Sequence, residues 1–446
     1  VTAEEDLPVV VIGAGPVGLA AAVELVERGV PVLVFERGAQ AGAAVAQWHH
    51  VRLFSRWADL VAPAARRLLA PLGWRHPDAD TYPTGAEWAG SYLRPLADAL
   101  GDRVRFGTEV VGVARRGRDR VVDAGRDTEP LTVHVRGTRA EERVTARAVI
   151  DASGTWGSPN PLGADGPPAI GETDTADRIA YRVPDLTDAE VAARYAGRHV
   201  VVAGAGHSAL TALVAFTGLA ERHPSTRLTW LLRRQAVGAV FGGGEADQLP
   251  ARGALGLRAK AALAAGHIRV VTGFRTEEVR RDAHGLLTLV SADGARVDGV
   301  DEVVVLTGFR PDLAWLSEVR LALDPALQAP TALAPLIDPN VHSCGTVHPH
   351  GVRELAQPEP GVFLAGMKSY GRAPTFLAMT GYEQVRSIAA DLAGDRASAE
   401  QVAPALPETG VCGGAGLFDQ PAESTSGGGC GAPAPQDLTL SAPPGR

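Results

Sequence analysis

The chain has 446 residues, 45% of them hydrophobic and 21% charged, a length and composition suited to two or three domains with full cores and unlike collagenous or mainly disordered chains. A net charge of −8 at pH 7 argues against nucleic acid as the main partner, because phosphate backbones are bound through surplus Lys and Arg. Three cysteines, Cys344, Cys412 and Cys430, are too few for a disulfide framework and form no CxxC pair, so a reducing, cytoplasmic setting is expected.

Val1 to Asp6 is acidic, and the apolar stretch behind it is glycine-rich and broken by Glu24. Neither a signal peptide nor a membrane span is expected there. Val9 to Ile12 reads as a strand, Gly13-Ala14-Gly15-Pro16-Val17-Gly18 as a turn, Leu19 to Arg28 as a helix, and Val32 to Phe35 as a second strand ending at Glu36. This is one βαβ unit of a parallel sheet. The first glycine permits the tight turn, the second lets the main chain approach a pyrophosphate, and the third packs helix on strand. Glu36, followed by Arg37, stands where an acid accepts the adenosine ribose hydroxyls.

The same order returns later in the chain. His199 to Ala203 is a strand, Gly204-Ala205-Gly206-His207-Ser208-Ala209 a turn, Leu210 to Glu221 a helix, and Arg227 to Leu232 a strand. No acid ends this second unit; Arg233 and Arg234 stand there instead, and a guanidinium suits the 2′-phosphate of NADPH. The alternative is that the two arginines are solvated surface charge, since all but two of the 43 basic residues are arginine.

Two dinucleotide folds in one chain fit a flavoprotein reduced by nicotinamide, one nucleotide resident and the other visiting. Between the folds, Arg147 to Ile150 runs into Asp151 and the turn Ala152-Ser153-Gly154-Thr155; Glu302 to Leu306 runs into Thr307-Gly308-Phe309-Arg310-Pro311-Asp312. These are the two crossings of a discontinuous fold. The expected architecture is α/β, with two Rossmann-like domains, the second inserted in the first. Its boundaries are an FAD domain over 1–160 and 307–394, an NADPH domain over 161–306, and a low-complexity, disordered tail over 395–446.

The first glycine turn, the ASG turn, the TGFRPD turn and the segment Pro360 to Pro374 together resemble the two-dinucleotide-binding-domain flavoproteins, which include flavin-containing monooxygenases and thioredoxin reductases. Trp48 to Ser55 resembles the flavin-facing loop of the monooxygenases, Tyr82-Pro83-Thr84 with Tyr92-Leu93 their following helix, and Phe106 to Val110 the strand that packs the adenine. The resemblance implies FAD held by Gly13, Gly15, Pro16, Gly18, Glu36, Arg37, Trp48, Arg52, Val110, Ser153, Gly154, Gly366 and Ser369. It implies NADPH held by Gly204, Gly206, His207, Ser208, Ala209, Arg233 and Arg234. Gly366 is followed by Met367 where many FAD enzymes have an acid, so the ribityl contact is expected from amides near Ser369 and Tyr370. The FxGxxxHxxxW/Y motif of class B monooxygenases is reduced to its glycine in Ala169-Ile170-Gly171-Glu172-Thr173-Asp174-Thr175.

Lys368, one of two lysines, is expected at the flavin's pyrimidine edge, where a cation stabilises reduced flavin. Arg372 is a candidate anchor for a flavin phosphate or an acidic substrate. His342, Cys344, His348 and His350 share one loop whose spacing matches no standard zinc site; Cys344 is read as substrate- or flavin-facing. Cys412 and Cys430 lie in the tail, where thiolates on a flexible arm suit a soft metalloid. The tail and the GMKSYGRAPTF segment also resemble a branch associated with arsenic-resistance genes. The expected activity is monooxygenation of a small substrate by dioxygen through a flavin C4a-peroxide. The alternatives are an NADPH oxidase or reductase serving a thiol, quinone or arsenical, and a flavin-bearing metalloid sensor or scaffold.

Overall fold

The computed structural model describes residues 6–402 apart from 139, 248, 342–349 and 375. The loop readings at His342, Cys344 and His348, and those at Cys412 and Cys430, fall outside these residues. The first sheet grows from Val9–Ile12 (β1), which pairs in parallel with Val32–Phe35 (β2) on one side. Beyond β2 lies the two-residue Val104–Arg105 (β3). A three-stranded antiparallel meander follows, Glu109–Arg115 (β4), Leu131–Arg136 (β5) and Glu141–Ala146 (β6). The chain then returns as Ala148–Asp151 (β7) to the other side of β1. These central strands are runs of Val and Ile because a parallel sheet is covered on both faces; β1 and β7 are buried along their whole length.

The second sheet repeats this plan. After Ile179–Ala180 (β8) come His199–Ala203 (β9), Arg227–Leu231 (β10) and Arg269–Val271 (β11), all parallel. Thr276–Arg281 (β12), Leu287–Ser291 (β13) and Arg296–Val300 (β14) form its own meander, and Glu302–Val305 (β15) returns beside β9. Val362–Leu364 (β16) completes the first sheet beside β7. The strand orders are β16-β7-β1-β2-β3 and β11-β10-β9-β15-β8, so each glycine-turn strand is central and each meander enters at the same point. The copies differ at the fifth strand: the first sheet takes it from late in the chain, the second from just before its own first strand.

Both crossings run side by side. Pro159 and Phe309 form an antiparallel bridge, Asn160 N donates to Gly308 O at 2.9 Å and Arg310 N to Ser158 O at 2.9 Å. The Arg310 guanidinium adds a bond to Asn160 Oδ1 at 2.8 Å. The link between the sheets is therefore a short two-stranded ribbon. Above it the Trp156 and Phe309 rings lie 5.0 Å apart, with the Arg182 guanidinium 4.8 Å over Trp156.

Candidate active site

At the first glycine turn the three glycines meet three different surroundings. A Cβ on Gly13, where φ is +98°, would stand 2.9 Å from Ser153 Cα, and one on Gly18 would stand 1.9 Å from Gly13 O. Both glycines are required by the protein's own packing. Gly15 is not: its φ of −81° and ψ of −176° suit any residue, and no atom lies within 4 Å of a Cβ built there. Its small size keeps open a space at the N-terminus of helix Pro16–Glu27, where exposed amides and the helix dipole favour a phosphate. Pro16 occupies the first helical turn, where a missing N–H costs nothing. Glu36 closes one side, with Oε2 accepting from Ala14 N at 2.8 Å and Oε1 from Gly38 N at 2.7 Å. Each oxygen keeps a second lone-pair direction for a ribose hydroxyl. The turn 106–108 sits on the same place, Thr108 N donating to Glu36 O at 2.9 Å.

The second turn has the same construction. Gly204 (φ +138°) would place a Cβ 2.2 Å from Leu306 O, whereas Gly206, extended at φ −91° and ψ 178°, has nothing within 4 Å. Ala209, in the helix-packing position, is wholly buried. His207 opens helix His207–Arg222; burial first, then Arg252, lowers its pKa, and its ring packs edge-on to Phe54 at 5.2 Å. Exposed Ser208 is its neighbour in the same turn. Arg233 is exposed and donates to Ala164 O at 3.0 Å. Arg234 is half-buried, and burial together with Arg233 lowers its pKa. The second cradle therefore carries concentrated positive charge where the first carries a carboxylate.

Residues 7–358 match the pyridine nucleotide-disulphide oxidoreductase family. The chain belongs to that family. It is a flavin-dependent oxidoreductase with sites for FAD and a nicotinamide dinucleotide, and the two open cradles, one acidic and one basic, fit those groups. A curated relative, indole-3-pyruvate monooxygenase YUCCA1 of Oryza sativa subsp. japonica, is 29% identical over 202 residues, which is 45% of this chain and 43% of that protein. The match thus spans under half of that relative's length. Among solved structures, bacillithiol disulfide reductase Bdr (YpdA) of Bacillus cereus aligns with a TM-score of 0.64 at 20% identity, covering 87% of this chain and 99% of that one. DfoA, the desferrioxamine-pathway cadaverine monooxygenase of Erwinia amylovora solved with FAD, aligns with a TM-score of 0.61 at 15% identity, covering 90% and 99%. At these identities the solved structures attest the fold alone.

Other expected contacts of this oxidoreductase fall in varied places. The Trp48 ring fills the space above Gly85, whose Cβ would meet Trp48 Cε3 at 2.8 Å, and lies 6.4 Å from Trp88. Val110 is buried in the core with Val10, Ile12 and Phe35, so its main chain alone remains for an adenine. Exposed Arg37 reaches over the ASG turn; a Cβ on Gly157 would stand 3.0 Å from its Nη2. Gly154, left-handed at φ +69°, also faces open space. Ser153 is tied down through N and Oγ to Asp151 Oδ1 at 3.0 and 2.6 Å. Exposed Arg372 donates to Gln328 Oε1 at 3.0 Å.

Two expectations are corrected. Lys368 does not present its ammonium to a flavin: it is wholly buried. Its Nζ donates to Asp312 O at 2.5 Å, lies 3.7 Å from Asp151 Oδ2 and sits 4.2 Å from the Trp315 ring centre. Burial pushes its pKa down, partly countered by Asp151. It ties the end of β7 to the returning crossing. Ser369 cannot offer its amide or hydroxyl to a ribityl chain, because both donate to Gly366 O, at 3.0 and 2.8 Å, and the residue is wholly buried. Arg52 donates to the Tyr82 carbonyl and stands 3.7 Å from Glu87.

Sequence reading missed the polar residues that hold these loops. Gln384 is fully buried; its Oε1 accepts from Gly366 N at 2.7 Å, and its Nε2 lies 2.9 Å from both Ser369 Oγ and His350 Nε2. Glu172 stands in the altered monooxygenase motif and is buried. It accepts from Leu162 N at 2.8 Å, Ala169 N at 2.7 Å, Gly163 N at 3.2 Å and Tyr181 Oη at 2.7 Å. Its neighbour Gly171 is left-handed at φ +76°, and a Cβ there would meet Val279 O at 2.3 Å. Where the motif keeps only its glycine, this stretch anchors the incoming crossing on β12. Glu172→Ala leaves four donors, two of them buried and two half-buried, without their acceptor and is expected to cost about 3 kcal/mol, read as a lower denaturant midpoint with an unchanged slope.

Proposed function

We propose that this oxidoreductase is an NADPH-reduced, FAD-dependent monooxygenase acting on a small substrate. The reading rests on the paired cradles: each leaves room at its second glycine for a pyrophosphate, with a carboxylate beside one and two arginines beside the other. Bound FAD supplies a hydride acceptor that passes two electrons on to dioxygen. The overall balance is NADPH, a proton, dioxygen and substrate giving NADP⁺, oxygenated substrate and water. Gly15 admits the first pyrophosphate at the N-terminus of helix Pro16–Glu27, and Glu36 accepts from its ribose. Gly206 admits the second, and Arg233 and Arg234 grip the 2′-phosphate. Dioxygen is favoured as acceptor because the sequence has no CxxC pair to take the electrons and because the curated relative bears a monooxygenase name.

The decisive measurement follows NADPH consumption, peroxide release and incorporation of labelled oxygen across candidate amines, thiols and carboxylates. Monooxygenation gives one labelled product per NADPH with little peroxide. Stoichiometric peroxide without labelled product makes the protein an oxidase, and oxygen-independent turnover with disulfides, quinones or arsenicals makes it a reductase. Arg233→Ala with Arg234→Ala removes charge-assisted bonds worth about 1.5–3 kcal/mol. The KM for NADPH is expected to rise about tenfold to a hundredfold while that for NADH holds, so an equal rise for both would remove the 2′-phosphate assignment.

A further inference from the structure

The turn after Trp48 brings two adjacent imidazoles to a carboxylate from the other side of the ribbon. His49 Nε2 lies 3.1 Å and His50 Nδ1 4.0 Å from Asp185 Oδ2, and one donor atom from each residue falls within 4.8 Å of the others. Asp185 is held in this pose, since its other oxygen, Oδ1, accepts from Thr187 N at 3.0 Å and from Thr187 Oγ1 at 2.6 Å. Oδ2 is thereby aimed at both rings.

His49 Nδ1 lies 3.2 Å from Ala46 O, a contact that requires the proton on Nδ1. The Nε2 lone pair then faces a carboxylate oxygen at 3.1 Å. Two lone pairs at that distance repel unless a cation lies between them, either a second proton or a metal ion. His50 adds a separate observation. Both of its ring nitrogens are buried and neither has a partner at hydrogen-bonding geometry, although the Val183 and Pro184 main chain lies nearby. A ring nitrogen buried without a hydrogen bond is costly, and a metal ion held by one nitrogen of His50 and by His49 Nε2 gives both lone pairs a partner.

We infer that His49, His50 and Asp185 form a binding site for a late first-row divalent cation of the Zn²⁺ class. Two imidazoles and a carboxylate are a ligand set of that class, and they leave a fourth position for water. Donor atoms around tetrahedral Zn²⁺ at about 2.1 Å stand about 3.4 Å apart, so the trio closes by roughly 1 Å through small rotations of the rings and the carboxylate. Thr187 supplies the outer hydrogen bonds that orient a ligating carboxylate. The ligands come from both sides of the ribbon, so the cation cross-links the Trp48–His50 turn to segment 183–187.

The test uses the full-length, FAD-loaded, untagged protein, stripped with chelator and titrated with Zn²⁺ alone by calorimetry and with Co²⁺ by absorption. Wild type is expected to bind one ion per chain, with Co²⁺ showing ligand-field bands and no intense sulfur charge-transfer band. His50→Ala and Asp185→Asn should each abolish this binding while keeping the wild-type circular dichroism. Thr187→Val should weaken it about tenfold or more, and the combined Ser variant at Cys344, Cys412 and Cys430 should leave it intact. Unchanged titration in Asp185→Asn, a sulfur charge-transfer band, or no binding by wild type overturns the site.

Discussion

Gly15→Val is expected to give a folded protein that carries no FAD. The backbone at Gly15 is extended, which valine adopts readily, and no atom lies within 4 Å of the new Cβ. The fold therefore has nothing to lose, and its circular dichroism and melting temperature should match those of apo wild type. The added methyls occupy the space that the pyrophosphate must enter. Losing even one pair of charge-assisted main-chain contacts removes about 3 kcal/mol or more, over a hundredfold in affinity. Absorption of the purified protein and titration with FAD read the effect directly. Gly18→Val is the contrast: its Cβ would lie 1.9 Å from Gly13 O, so it should unfold the domain, flavin present or absent. Retention of FAD by Gly15→Val would mean that the open space belongs to something other than this cofactor.

Gly206→Val separates the second cradle from the first. It too is extended with open space around its Cβ, so the variant should fold, keep its flavin and still bleach with dithionite. Reduction by NADPH should slow by about a hundredfold or more, on the same loss of phosphate contacts. Stopped-flow absorption under anaerobic conditions distinguishes the two reductants. A variant reduced by NADPH at the wild-type rate would move the nicotinamide site away from this turn.

The two glycine turns were legible because the order of their elements is local. A strand, a turn and a helix follow one another within about 20 residues, whereas the atoms that press on Gly13 and Gly204, at Ser153 and Leu306, come from far along the chain. Glu36 against Arg233 and Arg234 could be read for the same reason. Lys368 was misplaced because its scarcity marked the right segment without its direction: its partners Asp151, Asp312 and Trp315 come from the two crossings, far off in sequence. Glu172 was hidden by a motif comparison that recorded what was missing there, whereas the residue's work is to gather four donors from its own loop and from Tyr181. Neither His49 nor His50 signals Asp185, because only the packing of segment 183–187 against the Trp48 turn brings them together.

The paired crossings have a consequence for how such a protein is put together. Ser158 to Asn160 and Gly308 to Arg310 are hydrogen-bonded neighbours, so everything between them enters and departs through a single doorway. A segment attached in this way can be gained, lost or exchanged in one genetic event without cutting a strand of the host sheet, whose β1, β2, β3, β7 and β16 all lie outside it. The shared strand order of the two sheets then reads as the trace of one ancestral nucleotide-binding unit lodged inside a copy of itself.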